Sequence, residues 1–142
     1  MIFCSNPKAQ YLAHKEEIDF MLQQVLAGGN FVLGKNVQAF ENEFSDYIGT
    51  EYAIGVGSGT DAICLALRAL GINFGDEVIV PSHTATATVT AIKLADGTPV
   101  FADVDPDSWT LSPLSVEKAI TSRTKGIVAV HLYGQPADMD GI

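Results

Sequence analysis

The segment of the chain with the clearest chemistry is IGVGSGTDAICLALRAL, residues 54–70, where three glycines precede an apolar, helix-like run. Glycines between a strand and a helix let the backbone approach a phosphate, and the free N–H groups of the first helical turn attract anions. Ser58 and Thr60 can add hydroxyl donors, while Asp61 has to turn away to cap the helix or orient a donor. The pattern indicates either a phosphate site or a tight turn that one of these hydroxyls caps.

Two common nucleotide-binding motifs do not fit this segment. A dinucleotide site needs a third glycine where this chain has Thr60, and a carboxylate at the end of the second strand, where it has Pro81, Ser82 and His83. A Walker A loop needs a lysine after its second glycine, and GSGTDA has none. We therefore expect neither a dinucleotide nor a nucleoside triphosphate here.

The composition is that of a globular domain, with 142 residues that are 47% hydrophobic and 18% charged. A formal net charge of −9 argues against nucleic acid or an anionic membrane as a partner. The start MIFCSNPKAQ lacks the pattern of a secretory leader, and no apolar run approaches the roughly 20 residues of a membrane span. The cysteines, Cys4 and Cys64, suggest no disulfide framework, so we expect a cytoplasmic protein with a buried, inert Cys64.

Periodicity along the chain predicts an α/β fold with a mostly parallel sheet that is flanked by helices. Helices are predicted at 15–27 and 36–48, followed by strands that alternate with helices. The predicted strands are 51–56, 76–81, 98–104 and 124–130, and the helices between them are 58–70, 84–95 and 112–120, the last with Ser112 as its N-cap. We divide the chain into an N-terminal helical segment, 1–50, and the first part of a larger domain, 51–142. Since a connection is opening at Ile142, we expect the N-terminal portion of a longer protein.

Four motifs in the same order resemble the DegT/DnrJ/EryC1/StrS family. They are FVLGKNVQAFENEFSDYIG, VGSGTDAICLALRALGINFGDEVIVPSHTATATVTAI, TPVFADVDPDSWTLSP and VHLYGQPADMDGI. The resemblance implies part of the large domain of a fold type I transferase that depends on pyridoxal phosphate. It also implies a homodimer that aminates a nucleotide-linked keto-sugar with glutamate as the donor, in amino-sugar biosynthesis.

The resemblance places Gly59 and Thr60 in the turn whose amides and hydroxyl hold the cofactor phosphate, with Asp61 next in the same turn. We assign Ser58 to the same cofactor site, because its hydroxyl can add a donor to the phosphate. It also places Ala85 where the family commonly has an aromatic residue stacked on the pyridine ring. An alanine cannot cover that ring, so we expect His83 to supply the flat face, unless it is a strand-end histidine bonded to nearby backbone.

The resemblance places the remaining parts of the active site beyond residue 142. The lysine that binds the cofactor and the aspartate at its ring nitrogen are expected there, so we expect no catalytic residue in this chain and no transamination by it alone. Asp103 and Asp105 are assigned structural hydrogen bonds, and Trp109 a packing role. Tyr133 and Gln135 can face the substrate or support the turn before Pro136.

Two other functions stay open at this stage. One is a sugar dehydratase of the same family, in which a histidine replaces the lysine. The other is a non-catalytic truncated fragment that folds or associates.

Overall fold

The computed structural model describes residues 5–142, so Cys4 and the first residues of MIFCSNPKAQ lie outside the described part. The chain forms two compact units, of which the first ends at Gly55 and the second runs from Val56 to Ile142. None of the helices within residues 5–142 is both long enough and apolar enough to cross a membrane.

The described part of the first unit, residues 5–55, contains three helices, α1 (Pro7–Ala13), α2 (Lys15–Gly28) and α3 (Lys35–Ile48). The two predicted helices are confirmed as α2 and α3, which end at Gly29 and Gly49 with left-handed backbone angles. Helix α1 is an addition to the prediction. Asn6 caps it by accepting the Ala9 N–H at 3.1 Å, and Pro7 occupies its first turn.

The strand predicted at 51–56 is wrong, because this stretch forms no ladder with any residue that the structure describes. The Gly55 N–H instead donates to Glu41 Oε1 at 2.7 Å. Tyr52 and Ile54 remain 75% and 79% exposed. A strand requires the N–H and C=O groups of a neighbour, which an apolar sequence pattern cannot supply by itself.

The second unit contains a parallel sheet of three strands in the order β2-β1-β3, which confirms the predicted architecture with one strand fewer. The strands are β1 (Glu77–Pro81), β2 (Thr98–Ala102) and β3 (Thr124–Ile127). In the register, Ile79 lies opposite Val100 on one side and Ile127 on the other. All of β1 is buried because it is the central strand with a continuous apolar run.

Alternate residues of β1 face two separate apolar clusters, as the two-residue period of a strand requires. Val78 and Val80 belong to the first cluster, which packs against α4 (Gly59–Ala69) and α5 (Thr86–Leu94). Ile79 belongs to the second, with Leu111 and with Val116 of α6 (Pro113–Ala119). Helices therefore cover both faces of the sheet.

Two expectations about helix side chains are modified by this packing. Cys64 is partly buried against the first cluster, although we expected it to be buried. Ser112 does precede α6, but its side chain makes no capping hydrogen bond.

The last turns of helices α4 and α5 are neighbours, which indicates where their first turns lie. Arg68, in the last turn of α4, donates from Nη2 to the carbonyl oxygen of Leu94 at the end of α5, at 2.7 Å. Since α5 follows the carboxyl end of β1, its first turn lies at that edge of the sheet. The first turn of α4 therefore lies towards the same edge, where open α/β sheets bind ligands.

The amino end of β1 carries an ion pair between a nearly buried Glu77 and an exposed Arg123. Glu77, with its side chain 7% exposed, accepts hydrogen bonds from the Thr121 hydroxyl and from Arg123 Nε, the latter at 2.9 Å. These hydrogen bonds, first that of Thr121 and then that of Arg123, hold the pKa of Glu77 below its usual value of 4.5. A depressed carboxyl pKa stabilises the fold above the unfolded pKa, and this stabilisation is lost as the pH falls through the folded pKa.

We therefore predict that Glu77→Gln lowers the free energy of unfolding at pH 7 and that the deficit shrinks as the pH falls below about 4.5. Urea midpoints at pH 7 and pH 3 measure this difference. Glu117→Gln, on the exposed side of α6, is the matched control and should change neither midpoint. A Glu77→Gln deficit of equal size at both pH values would contradict the prediction.

Candidate functional site

Ser58 and Asp61 close the turn that begins α4. Ser58 has an extended backbone (φ −161°), and its Oγ accepts the Asp61 N–H at 3.1 Å. The same hydroxyl donates to Asp61 Oδ2 at 2.8 Å, so its one hydrogen is used within the turn. Ser58 is thus the N-cap, and the Asp61 carboxylate is held by its own cap.

The N–H groups of Gly59 and Thr60 are the donors that this capping leaves over. The Ala62 N–H donates to the carbonyl oxygen of Ser58 at 3.0 Å, and the Asp61 N–H is taken by the Ser58 hydroxyl. Within residues 5–142, neither the Gly59 nor the Thr60 N–H meets a protein acceptor. Two adjacent donors at the positive end of a helix form a suitable site for a small anion.

Gly57 and Gly59 differ in what an added side chain would meet. A Cβ at Gly57 would lie 3.1 Å from Asp61 Oδ2, which is tighter than an ordinary contact. A Cβ at Gly59 would meet no atom within 4 Å, and the backbone there is not left-handed. The described protein therefore has no steric need for glycine at position 59, whereas a ligand that approaches the backbone would have one.

Three aromatic side chains from three loops meet at the carboxyl edge of the sheet. The His83 ring centroid lies 5.9 Å from that of Trp109 and 6.2 Å from that of Tyr133. The planes are tilted by 60° and 57°, so these are tilted contacts rather than stacks. We call His83, Trp109 and Tyr133 the aromatic cluster. Ala85 is exposed two residues beyond His83 and directly precedes α5.

The structure thus brings together two residues that the sequence singled out, His83 and Tyr133, and adds Trp109, to which the sequence gave only a packing role. One signal could have identified Trp109, because it follows β2, whose carboxyl end lies at the same edge as that of β1. The side chain of Gln135 makes no hydrogen bond within the described residues, and its backbone N–H donates to Leu132 O at 2.9 Å.

His131 supports the loop that carries Tyr133. Its Nδ1 accepts the Ala137 N–H at 2.9 Å, which assigns the ring proton of a neutral imidazole to Nε2. Ala137 is 6% exposed, so this bond fixes the loop against the body of the unit.

Asp103 and Asp105 make the structural hydrogen bonds that we predicted. Asp103 Oδ1 accepts the Val104 N–H at 2.9 Å. Asp105 Oδ1 accepts the N–H groups of Ser108 and Asp107 at 2.9 and 3.0 Å, and these bonds lower the pKa of the Asp105 carboxyl. In the described part of the chain, no three side chains of metal-ligating type come together.

A parallel sheet with a helix that begins at its carboxyl edge is typical of α/β proteins that bind phosphorylated ligands there. The sequence model of the DegT/DnrJ/EryC1/StrS aminotransferase family matches residues 13–142. The chain therefore belongs to this family.

Known relatives are similar in sequence and structure to nearly the whole of this chain. It is 50% identical to dTDP-3-amino-3,4,6-trideoxy-alpha-D-glucose transaminase of Streptomyces venezuelae over 135 residues, which are 95% of this chain and 36% of that protein. The crystal structure of S. venezuelae DesV superimposes with a TM-score of 0.92 and 50% identity, over 96% of this chain and 37% of the other. NtdA from Bacillus subtilis, with bound cofactor PMP, gives 0.87 and 42%, over 92% and 30%. The chain thus spans between 30% and 37% of the length of these relatives, and the match confirms the predicted fold class, part of the large domain of a fold type I transferase.

Proposed function

We propose that this chain contributes the phosphate-binding part of a pyridoxal-phosphate-dependent aminotransferase that acts on a nucleotide-linked keto-sugar. The observation that carries the proposal is the start of α4, where the Gly59 and Thr60 N–H groups lack protein acceptors among the described residues and Gly59 leaves room for a ligand. This donor pair fits the phosphate of the cofactor, and B. subtilis NtdA binds PMP, the amino form of the same compound.

The residues of the chain have distinct parts in this proposal. The N–H groups of Gly59 and Thr60, with the Thr60 hydroxyl, bind the phosphate dianion, because charge-assisted hydrogen bonds are the strong ones. Ser58 keeps the Asp61 carboxylate engaged and thereby limits its repulsion of the phosphate. His83 offers a flat face beside Ala85, whose methyl group is too small to cover a ring. Pyridoxal phosphate, when bound, accepts an amino group from a donor and passes it to a ketone.

We propose glutamate as the amino donor and the keto group of a nucleotide-linked hexose as the acceptor. The S. venezuelae relative is named for a 3-amino sugar, which supports carbon 3 as the position of amination. Tyr133 and Gln135, both exposed at the carboxyl edge, are the residues of this chain that we assign to the substrate. We further propose a cytoplasmic homodimer, and a lysine and a ring-nitrogen aspartate from outside these 142 residues, so that the 142 residues alone should not transaminate.

The proposal predicts binding of pyridoxal phosphate by the protein in the full length that its gene encodes. Gly59→Ala should weaken this binding about tenfold, because the new methyl group occupies the space next to the two N–H donors and costs about one charged hydrogen bond. The change should not lower thermal stability, since the Cβ would meet nothing within 4 Å. Absorbance titration with pyridoxal phosphate and ³¹P NMR of its phosphate measure the affinity.

Gly28→Ala is the matched control, because its Cβ also meets nothing within 4 Å and its backbone is not left-handed. It should bind the cofactor as tightly as the unsubstituted protein does. A full-length protein that binds no pyridoxal phosphate, or a Gly59→Ala variant that binds it normally, would refute the assignment of this turn. Transfer of the amino group from glutamate to a nucleotide-linked 3-keto-sugar then tests the reaction itself.

A further inference from the structure

Two members of the aromatic cluster have backbone conformations that bulky residues rarely adopt. Trp109 has φ 61° and Tyr133 has φ 55°, both in the left-handed region. Only two other non-glycine residues of the described chain share this property, Leu33 and Asp96. A left-handed conformation of a bulky side chain is strained and persists only when the surrounding structure enforces it.

The loop of Trp109 is held by a network of hydrogen bonds. The Trp109 N–H donates to Asp105 O at 2.9 Å, while the Asp105 carboxylate accepts two further N–H groups of the same turn. The hydroxyls of Ser108 and Thr110, on either side of Trp109, lie 2.9 Å apart, and Thr110 is 3% exposed. The loop is thus anchored on both sides of a strained residue.

The loop of Tyr133 is fixed in a comparable way. The Gly134 N–H donates to His131 O at 3.2 Å, and the His131 ring accepts the Ala137 N–H. Two loops with unrelated sequences therefore use local hydrogen bonds to hold an aromatic residue in a strained conformation beside His83.

Burial among residues 5–142 does not explain this strain. Trp109 remains 54% exposed and Tyr133 85% exposed, although aromatic side chains stabilise a fold mainly by being buried. Both rings contact His83 at a tilt and not in a parallel stack, and His83 itself is exposed. The arrangement fixes the orientation of an accessible flat ring at the carboxyl edge.

We propose that Trp109 and Tyr133 are positioning residues that fix the His83 imidazole as the stacking face for the pyridine ring of the cofactor, in place of the aromatic side chain that Ala85 lacks. This inference rests on the proposed function. It assigns a role to Trp109, and it explains why a position that should cover a ring can be occupied by alanine.

The test compares two ligands of the full-length protein, pyridoxal phosphate and inorganic phosphate. Inorganic phosphate engages only the turn at Gly59 and Thr60, whereas pyridoxal phosphate also presents a ring. We expect Trp109→Ala and Tyr133→Ala each to weaken pyridoxal phosphate binding about five- to tenfold, the size of one lost aromatic contact. The dissociation constant of inorganic phosphate, from ³¹P NMR, should stay unchanged.

Rescue variants separate positioning from general damage to the loops. Trp109→Phe, which keeps a ring, should retain most of the affinity. Ala85→Tyr restores an aromatic side chain at the stacking position, so adding Trp109→Ala to it should cost little further affinity. Asp96→Ala, at another left-handed position of the same unit, is the control and should leave both dissociation constants unchanged. Circular dichroism confirms that each variant is folded.

The outcomes distinguish this inference from the function on which it rests. A full-length protein that binds neither ligand overturns both. Normal binding of pyridoxal phosphate by Trp109→Ala and Tyr133→Ala overturns the positioning role alone. Equal weakening of both ligands, or full sensitivity to Trp109→Ala in the Ala85→Tyr background, also overturns it, because the rings would then act through the fold and not through His83.

Discussion

A Gly59→Asp substitution in the full-length protein should weaken pyridoxal phosphate binding by more than about a hundredfold without lowering thermal stability. The new carboxylate would stand in the first turn of α4, where the Gly59 and Thr60 N–H groups have no protein acceptor among the described residues. There it would compete for the same donors and repel a phosphate dianion. The protein itself tolerates the change, since a Cβ at this position meets nothing within 4 Å.

Gly59→Asp should lower the affinity for pyridoxal phosphate but not the stability of the protein. This difference distinguishes repulsion of the phosphate from general damage to the turn. A carboxylate near a helix N-terminus is favourable by about 0.3–1 kcal/mol, so the melting temperature should stay constant or rise slightly. An Asp that merely disrupted the turn would instead lower stability and affinity together. Differential scanning fluorimetry without ligand and absorbance titration with pyridoxal phosphate measure the two quantities separately.

Gly59→Asn is the matched control, because its side chain has nearly the same shape and carries no charge. Its loss of affinity should be close to that of Gly59→Ala. The difference between the Asp and Asn variants should shrink as salt is added, since ions screen the repulsion between the exposed carboxylate and the phosphate. Equal affinity of the Asp and Asn variants at low salt would show that the phosphate binds elsewhere.

The parts of the fold that the sequence could predict are those with a local signal. The run Val78–Ile79–Val80 identified the buried central strand, and helical periodicity identified α2 and α3. Helix α1 also has a local signal, Asn6 followed by Pro7, but this signal is a cap and not a periodicity. The stretch 51–56 had the right pattern for a strand but lacks a partner among the described residues, and pairing is not a local property.

The candidate site also contains residues that a local sequence signal could identify and residues that it could not. Ser58 and Gly59 could be identified because a capping residue and a glycine before an apolar helix have meaning within a few positions of each other. The proximity of His83 and Tyr133 follows from the parallel sheet, which brings the carboxyl ends of β1 and β3 together. The left-handed conformation of Trp109 had no such signal, because it depends on hydrogen bonds from Asp105 and its neighbours that only the folded loop creates.

The packing beneath the site leads to a second prediction with a large effect. Ile92 of α5 is completely buried in the first cluster, which joins α4 and α5 to β1. Ile92→Ala should lower the free energy of unfolding by about 2–5 kcal/mol, the usual cost of such a cavity. That is a large part of the roughly 5–15 kcal/mol by which a typical domain is stable, so the variant should be visibly destabilised in urea.

Ile79→Ala provides a matched comparison, because Ile79 is also completely buried but belongs to the second cluster, with α6. Both substitutions remove the same atoms, and we expect similar losses in unfolding free energy from urea titrations. Only Ile92→Ala should also weaken pyridoxal phosphate binding under conditions where both variants are folded, because its cavity loosens the packing that fixes the first turn of α4. If both variants were to bind the cofactor equally well, the first cluster would stabilise the fold without positioning the phosphate site.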